Sequence, residues 1–130
     1  MTRINCIPVN ELTDQHLMAE YREITRVSKL ARELSDYGHY KMGTGHIRFF
    51  YNKGQYLYNR TQQLYNECIK RGFKVQYKKY VLHANPILNQ NWYPTIDDEM
   101  INANRLNDKL DQKYSFYKFY GKHLNSKGGT

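Results

Sequence analysis

Thr13-Asp14-Gln15-His16-Leu17-Met18-Ala19-Glu20-Tyr21-Arg22-Glu23-Ile24 is the stretch that decides the fold. Thr13 and Asp14 are both helix-capping residue types, whose side-chain oxygens satisfy the free N–H groups of a first turn. The next break is Gly38, so the pattern predicts one helix running to about Tyr37. At 100° per residue, Leu17, Tyr21, Ile24 and Ala31 share one face, and Val27, Leu30 and Leu34 share another. A helix apolar on two sides belongs in the middle of a molecule. Glu23 has the azimuth of Ala19, Val27 and Leu30 and so does not face open solvent, with Arg22 and Arg26 beside it. A carboxylate so placed is either an interior ion-pair partner that steadies the helix or a catalytic group in a cleft.

Outward from this helix, Met42-Gly43-Thr44-Gly45 reads as a loop leading into His46-Ile47-Arg48-Phe49-Phe50-Tyr51, whose His46 and aromatics read as core and scaffold. A second helix is predicted over Gln55–Arg71, with Leu57, Leu64, Cys68 and Ile69 inward and Gly72 as its stop. Residues 73–94 read as irregular, with a short extended piece near 74–82. A third helix follows Pro94-Thr95, with Asp97, Asp98 and Glu99 favourably placed in its first turn. It is expected to bury Ile96, Met100, Ala103, Leu106 and Leu110 and to turn Arg105 and Lys109 outward. Tyr114–Gly121 forms an aromatic-basic tail, and Ser126 onward reads as disordered. The expectation is an all-α protein: a single compact domain over residues 1–125, about three helices with irregular connections, an aromatic-basic C-terminal tail, and a disordered end at 126–130.

Composition narrows the function classes. At 130 residues the chain supports one core. It has no apolar run of the roughly 18–20 residues a membrane span needs and no signal-peptide pattern, so a cytoplasmic protein is expected. Cys6 and Cys68 are too few for a disulfide framework and read as free buried thiols. No CxxC, HExxH or EF-hand spacing occurs, so no metal and no cofactor is expected. The formal net charge is +8, and all of it lies between Tyr37 and Pro94, where nine bases face one acid, Glu67, while the flanks cancel. Such a middle, in a chain with thirteen tyrosines, suits a polyanion such as duplex DNA.

The N-terminus adds chemistry. Thr2 is small enough to favour removal of Met1, which would leave a free α-amine on Thr2 beside Arg3. Such an amine has a reference pKa of about 7.7–8.0, roughly 2.5 below lysine, so a good fraction is neutral and nucleophilic near pH 7. Close to arginines and one carboxylate, it is suited to Schiff-base formation.

Thr2-Arg3, Gln15-His16, Tyr21-Arg22-Glu23, Arg26, Gly45-His46, Phe49-Phe50-Tyr51, Arg105, Lys109 and Tyr117-Lys118-Phe119-Tyr120-Gly121 form a collinear set. In that order and spacing the chain resembles the phage endonuclease V family of pyrimidine-dimer DNA glycosylase/AP lyases. The match is dense over residues 1–26, good over 43–74 and 103–122, and weak over 27–42 and 75–102. The resemblance implies a metal-free helical enzyme in which the Thr2 amine attacks C1′ of a deoxyribose and Glu23 assists that step and the later β-elimination. It implies backbone and sugar contacts from Arg3, Gln15, His16, Arg22, Arg26, Arg105 and Lys109. It also implies damage recognition by the tail residues Tyr117, Lys118, Phe119 and Tyr120, on a duplex that is kinked with a nucleotide extruded. Phe116 stands where the family usually has tryptophan and Thr25 where it commonly has proline.

The expected partner is therefore damaged double-stranded DNA, bound by a monomer, with UV-induced pyrimidine dimers as substrate. Two alternatives stay open from the sequence: a glycosylase or lyase for another damaged or modified base, and a non-catalytic DNA-binding protein on the same basic frame.

Overall fold

The computed structural model describes residues 2–112 and 116–123. Three full helices carry the fold: α1 over Asp14–Ile24, α3 over Gly54–Lys70 and α4 over Ile96–Gln112, with a single-turn α2 over Val27–Leu30. Among the described residues the strand pairing is confined to a two-residue ladder in the tail, β1 (Lys118–Phe119) against β2 (Lys122–His123), so the protein is mostly helical as expected.

Thr13 is the cap of α1, its side chain accepting the His16 N–H, and Leu17, Tyr21 and Ile24 are buried against α3 as the apolar stripe requires. The helix does not reach Tyr37. It stops at Ile24, where the Thr25 carbonyl accepts both the N–H and the hydroxyl of Ser28, and it restarts for one turn. Side chains that bond nearby backbone compete with helix propagation. Of the expected second face, Val27 is buried but Leu30 is exposed, so no packing carries the helix onward. Gly38, at φ +72°, lies in a later loop where its N–H caps Asp36.

α3 lies within one residue of its predicted bounds. Gly72, at φ +83°, ends it in a Schellman arrangement, Phe73 N–H reaching the Cys68 carbonyl and Gly72 N–H the Ile69 carbonyl. Leu57, Leu64 and Cys68 face inward, but Ile69 is exposed, and Arg60, Thr61 and Glu67 take inward positions instead. α4 departs further. Thr95 and Asp98 cap its start reciprocally, at 2.9 and 3.1 Å, yet Ile96 is 77 % and Met100 56 % exposed, and the buried residues are Asn102 and Leu106. The helix is turned so that a polar side chain, not an apolar one, meets the N-terminal segment.

Residues 73–95 run without a strand, broken by a short 3-10 turn at Pro86–Leu88. The core gathers α1 and α3, the N-terminal segment around Ile4 and Cys6, and an aromatic cluster in which Tyr40, Phe49, Phe50, Tyr56 and Trp92 meet. His46, Phe49 and Phe50 are buried there, and both cysteines are free and buried. The end expected to be disordered, 126–130, lies outside the described residues.

Candidate active site and nucleic-acid interface

Extended N-terminal segments fray unless tied down. Here residues 4–7 are tied by side chains from four parts of the molecule. Ile4 donates its N–H to Nε2 of His46 (2.8 Å), and its carbonyl accepts the Tyr40 hydroxyl (3.1 Å). Asn102 of α4 accepts the N–H groups of both Cys6 and Ile7 through one oxygen (2.7 and 3.1 Å) and donates its amide to Asn5 (2.7 Å). Asn5 donates to Glu20 of α1 (2.9 Å), and Glu20 is forked by Arg60 of α3 (2.8 and 3.1 Å), which also holds the Ile7 carbonyl (2.6 Å). Arg60 and Glu20 are 3 % and 1 % exposed. Burial works against the Arg60 charge, but the facing Glu20 carboxylate more than offsets it and raises its pKa. Asn102 sits where it does because the buried N–H groups of Cys6 and Ile7 need an acceptor that leucine could not supply.

This strapped segment leads to the first candidate cleft. Arg3, Asn5, His16, Ala19, Glu20, Glu23 and Arg105 line a hollow of about 110 Å³. The α1 members follow helical spacing, so residues 16, 19, 20 and 23 present one stripe. Thr2 precedes Arg3 in the chain, and its carbonyl accepts Nη1 of Arg3 (3.2 Å). The Glu23 side chain is 21 % exposed, and the ion pair it makes among the described residues is a long one, 4.0 Å to the exposed Arg26. Arg105 does not turn outward. It is half-buried in the cleft, and burial together with the nearby Arg3 charge lowers its pKa. Arg3 and Arg105 together concentrate positive charge at this hollow. Lys109 is exposed as expected.

His16 is held neutral. Burial, then the Arg105 and Lys109 charges, lower its pKa to about 4. The Thr13 oxygen accepts the His16 backbone N–H and is hydrogen-bonded to Nδ1 of the ring at 2.8 Å. His46 is pushed down to about 4 as well, by burial and the Arg3 and Arg105 charges against the Lys41 carbonyl, which works the other way. Its partners dictate the tautomer: the Lys41 carbonyl requires a proton on Nδ1 (2.7 Å), and the Ile4 N–H requires none on Nε2.

A larger groove, about 650 Å³, adjoins this cleft and shares His16 and Ala19 with it. Its floor is the next stripe of α1, Gln15, Met18 and Arg22, and its walls are Phe73 and the tail residues Phe116, Tyr117 and Lys118. Both ends of the Gln15 amide serve the tail, donating to the Phe116 carbonyl and accepting the Lys118 N–H, each at 2.9 Å. Tyr117 is buried and stacks on His16, with ring centroids 4.7 Å apart. Phe116 is 56 % exposed at the rim. Phe119 and Tyr120 face elsewhere, both rings lying against the Arg71 guanidinium.

The structure thus brings Arg3, His16, Glu23 and Arg105 to one cleft, and Gln15, Arg22, Tyr117 and Lys118 to the groove beside it, with Arg26 and Lys109 exposed nearby. The supporting residues that sequence reading missed are Asn5, Glu20, Arg60 and Asn102 at the N-terminus and Asp14, Glu67 and Arg71 at the tail. One trace was visible: Arg60 and Glu67 are charges inside the apolar stripe of α3, and Glu67 is the single acid of the basic middle.

The pyrimidine dimer DNA glycosylase profile matches residues 1–81, a span that holds the strapped N-terminus, all of α1 and all of α3. This chain belongs to the pyrimidine dimer DNA glycosylase family and is a DNA repair enzyme of that kind.

Proposed function

We propose that the protein cleaves DNA at pyrimidine dimers through the α-amine of Thr2, exposed by removal of Met1. The amine attacks C1′ of the damaged nucleotide. The C1′–N bond breaks with its electron pair going to the base, which takes up the proton lost by the attacking amine. The C1′–O4′ bond then opens, O4′ leaving as a protonated hydroxyl, and C1′ becomes a protonated imine carbon on the Thr2 nitrogen. Glu23 then removes a proton from C2′, and the electrons expel the 3′ phosphate, breaking the strand by β-elimination. Water releases the enzyme from the imine. Arg3, Arg105, Arg22, Arg26 and Lys109 hold phosphates around this centre, with His16 as a neutral partner.

The observation that carries this reading is the convergence of Glu23, His16, Arg105 and Arg3, the residue after Thr2, on one cleft. A non-catalytic binder has no use for a mostly buried carboxylate among phosphate-binding groups. Borohydride reduction with abasic duplex should trap a protein–DNA adduct that mass spectrometry places on Thr2 of Met1-free protein. An adduct on a lysine, or none at all, refutes the amine's role. Glu23→Gln should keep duplex binding and lose most cleavage; a loss under tenfold, about 1.4 kcal/mol in barrier, returns Glu23 to helix support.

A further inference from the structure

Beyond the cleft, the tail turn carries the one non-glycine residue with positive φ among those described. Tyr120 sits at φ +52° and Gly121 at +79°, forming the two-residue turn between β1 and β2. Positive φ at both central residues is the type I′ hairpin geometry, and a bulky aromatic there costs energy that its surroundings must cover. Those surroundings are unusually complete. Asp14, the first residue of α1, accepts the Tyr120 N–H at 3.0 Å and the Gly121 N–H at 2.7 Å. The same carboxylate is paired to Arg71 at 2.9 Å, and Arg71 is paired to Glu67 at 2.8 Å. Glu67 accepts the Tyr120 hydroxyl at 2.5 Å, and the Arg71 guanidinium lies over the Phe119 and Tyr120 rings. The Arg71 side chain is fully buried, although it follows the last turn of α3 on what would otherwise be the surface.

None of these three charged residues lines the cleft that holds Glu23, although Asp14 also lines the groove beside it. Their effect on it runs through the tail: the turn is followed back along β1 to Tyr117, which stacks on His16, the residue shared by the cleft and the groove. We propose that Asp14, Glu67 and Arg71 are positioning residues that hold the tail turn in its strained form and so set the damage-reading wall of the groove. The inference rests on the reading that the tail contacts damaged DNA. It separates two activities of one enzyme. Opening an intact duplex at a dimer needs the wall in place, whereas an abasic site is already without its base and needs only the cleft.

Gly121 tests this without altering a charged side chain: a Cβ added there meets no protein atom within 4 Å, so inside the protein it acts through the backbone conformation, and asparagine, larger but tolerant of that conformation, separates this from a steric effect. Gly121→Ala should lower the ratio of dimer cleavage to abasic cleavage about fivefold, with abasic cleavage and the melting temperature nearly unchanged. Gly121→Asn should recover most of the ratio, since asparagine tolerates the left-handed region. A purely structural contact would lower both activities together or neither. An unchanged ratio in Gly121→Ala, or a loss that asparagine does not recover, overturns the proposal. Phe116→Ala then tells the two levels apart: a lowered ratio there beside an unchanged ratio in Gly121→Ala overturns the anchor alone, and an unchanged ratio in Phe116→Ala overturns the tail reading itself.

Discussion

The two ends of the chain are fastened to the same two helices in the same currency, and with opposite consequences. At the N-terminus, Glu20 of α1 and Arg60 of α3 form a pair inside the core that grips residues 5–7. At the tail, Asp14 of α1 and Glu67 of α3 share Arg71, three helical turns beyond Arg60, and grip residues 120–121. The first fastening is surrounded by buried side chains, so the segment it holds belongs to the cooperative core. The second holds a short hairpin whose outer residues face solvent, so the hairpin can loosen alone. Under the proposed function, a nucleophilic terminus requires the former and a tail that samples duplex DNA is served by the latter.

The strongest way to break the comparison is Arg60→Met. It leaves the Glu20 carboxylate in the core without its cation, a change that costs about 3–5 kcal/mol. Thermal unfolding should drop by roughly 10–20 °C, and dimer and abasic cleavage should fall together. A cost below about 1 kcal/mol would mean that the N-terminal fastening is no more central than the tail's.

Acid should act on the N-terminal fastening next. His46 has a pKa near 4 in the folded protein against about 6.5 unfolded, so between these values the unfolded chain binds the proton first. Stability is therefore full above about pH 6.5 and declines as pH falls toward 4, by about 2–3 kcal/mol from this residue. Protonating Nε2 also removes the acceptor of the Ile4 N–H. His16 acts in the same direction. Urea unfolding at pH 7.5, 5.5 and 4.5 should show the decline, and His46→Gln should flatten it; an equal slope in the variant would refute the assignment.

Gln15→Ala gives the smallest effect and sharpens the contrast. It removes two hydrogen bonds to the tail, yet the melting midpoint should move by no more than about 1 kcal/mol equivalent. Hydrogen exchange at the Lys118 amide should meanwhile speed up about fivefold or more. A global loss comparable to that of Arg60→Met would show that the tail is part of the core after all.

Legibility followed the same division. The cap at Thr13, the start of α4 after Thr95 and the stop at Gly72 were readable because they are local: the side chain or glycine and the backbone group it serves are a few residues apart. The early end of α1, the outward turn of Ile96 and Met100, and the inward turn of Arg105 were not. Each depends on which surface a helix meets, and an apolar stripe alone does not say whether its partner is a leucine cluster or a strand with unmet N–H groups.

By itself, then, the sequence determined the helical class, the basic middle, the family set from Thr2 to Tyr120, and the helical spacing that puts Glu23 on the same side of α1 as His16. Tertiary structure alone decided that Asn102 and Arg60 hold the N-terminal segment, that Arg3 and Arg105 crowd one cleft, and that Asp14, Glu67 and Arg71 hold the tail. The physical reason is distance along the chain. Helix periodicity is a property of neighbours, whereas a buried carboxylate or N–H group takes its partner from 40 to more than 100 residues away, and nothing but the packed fold selects which one.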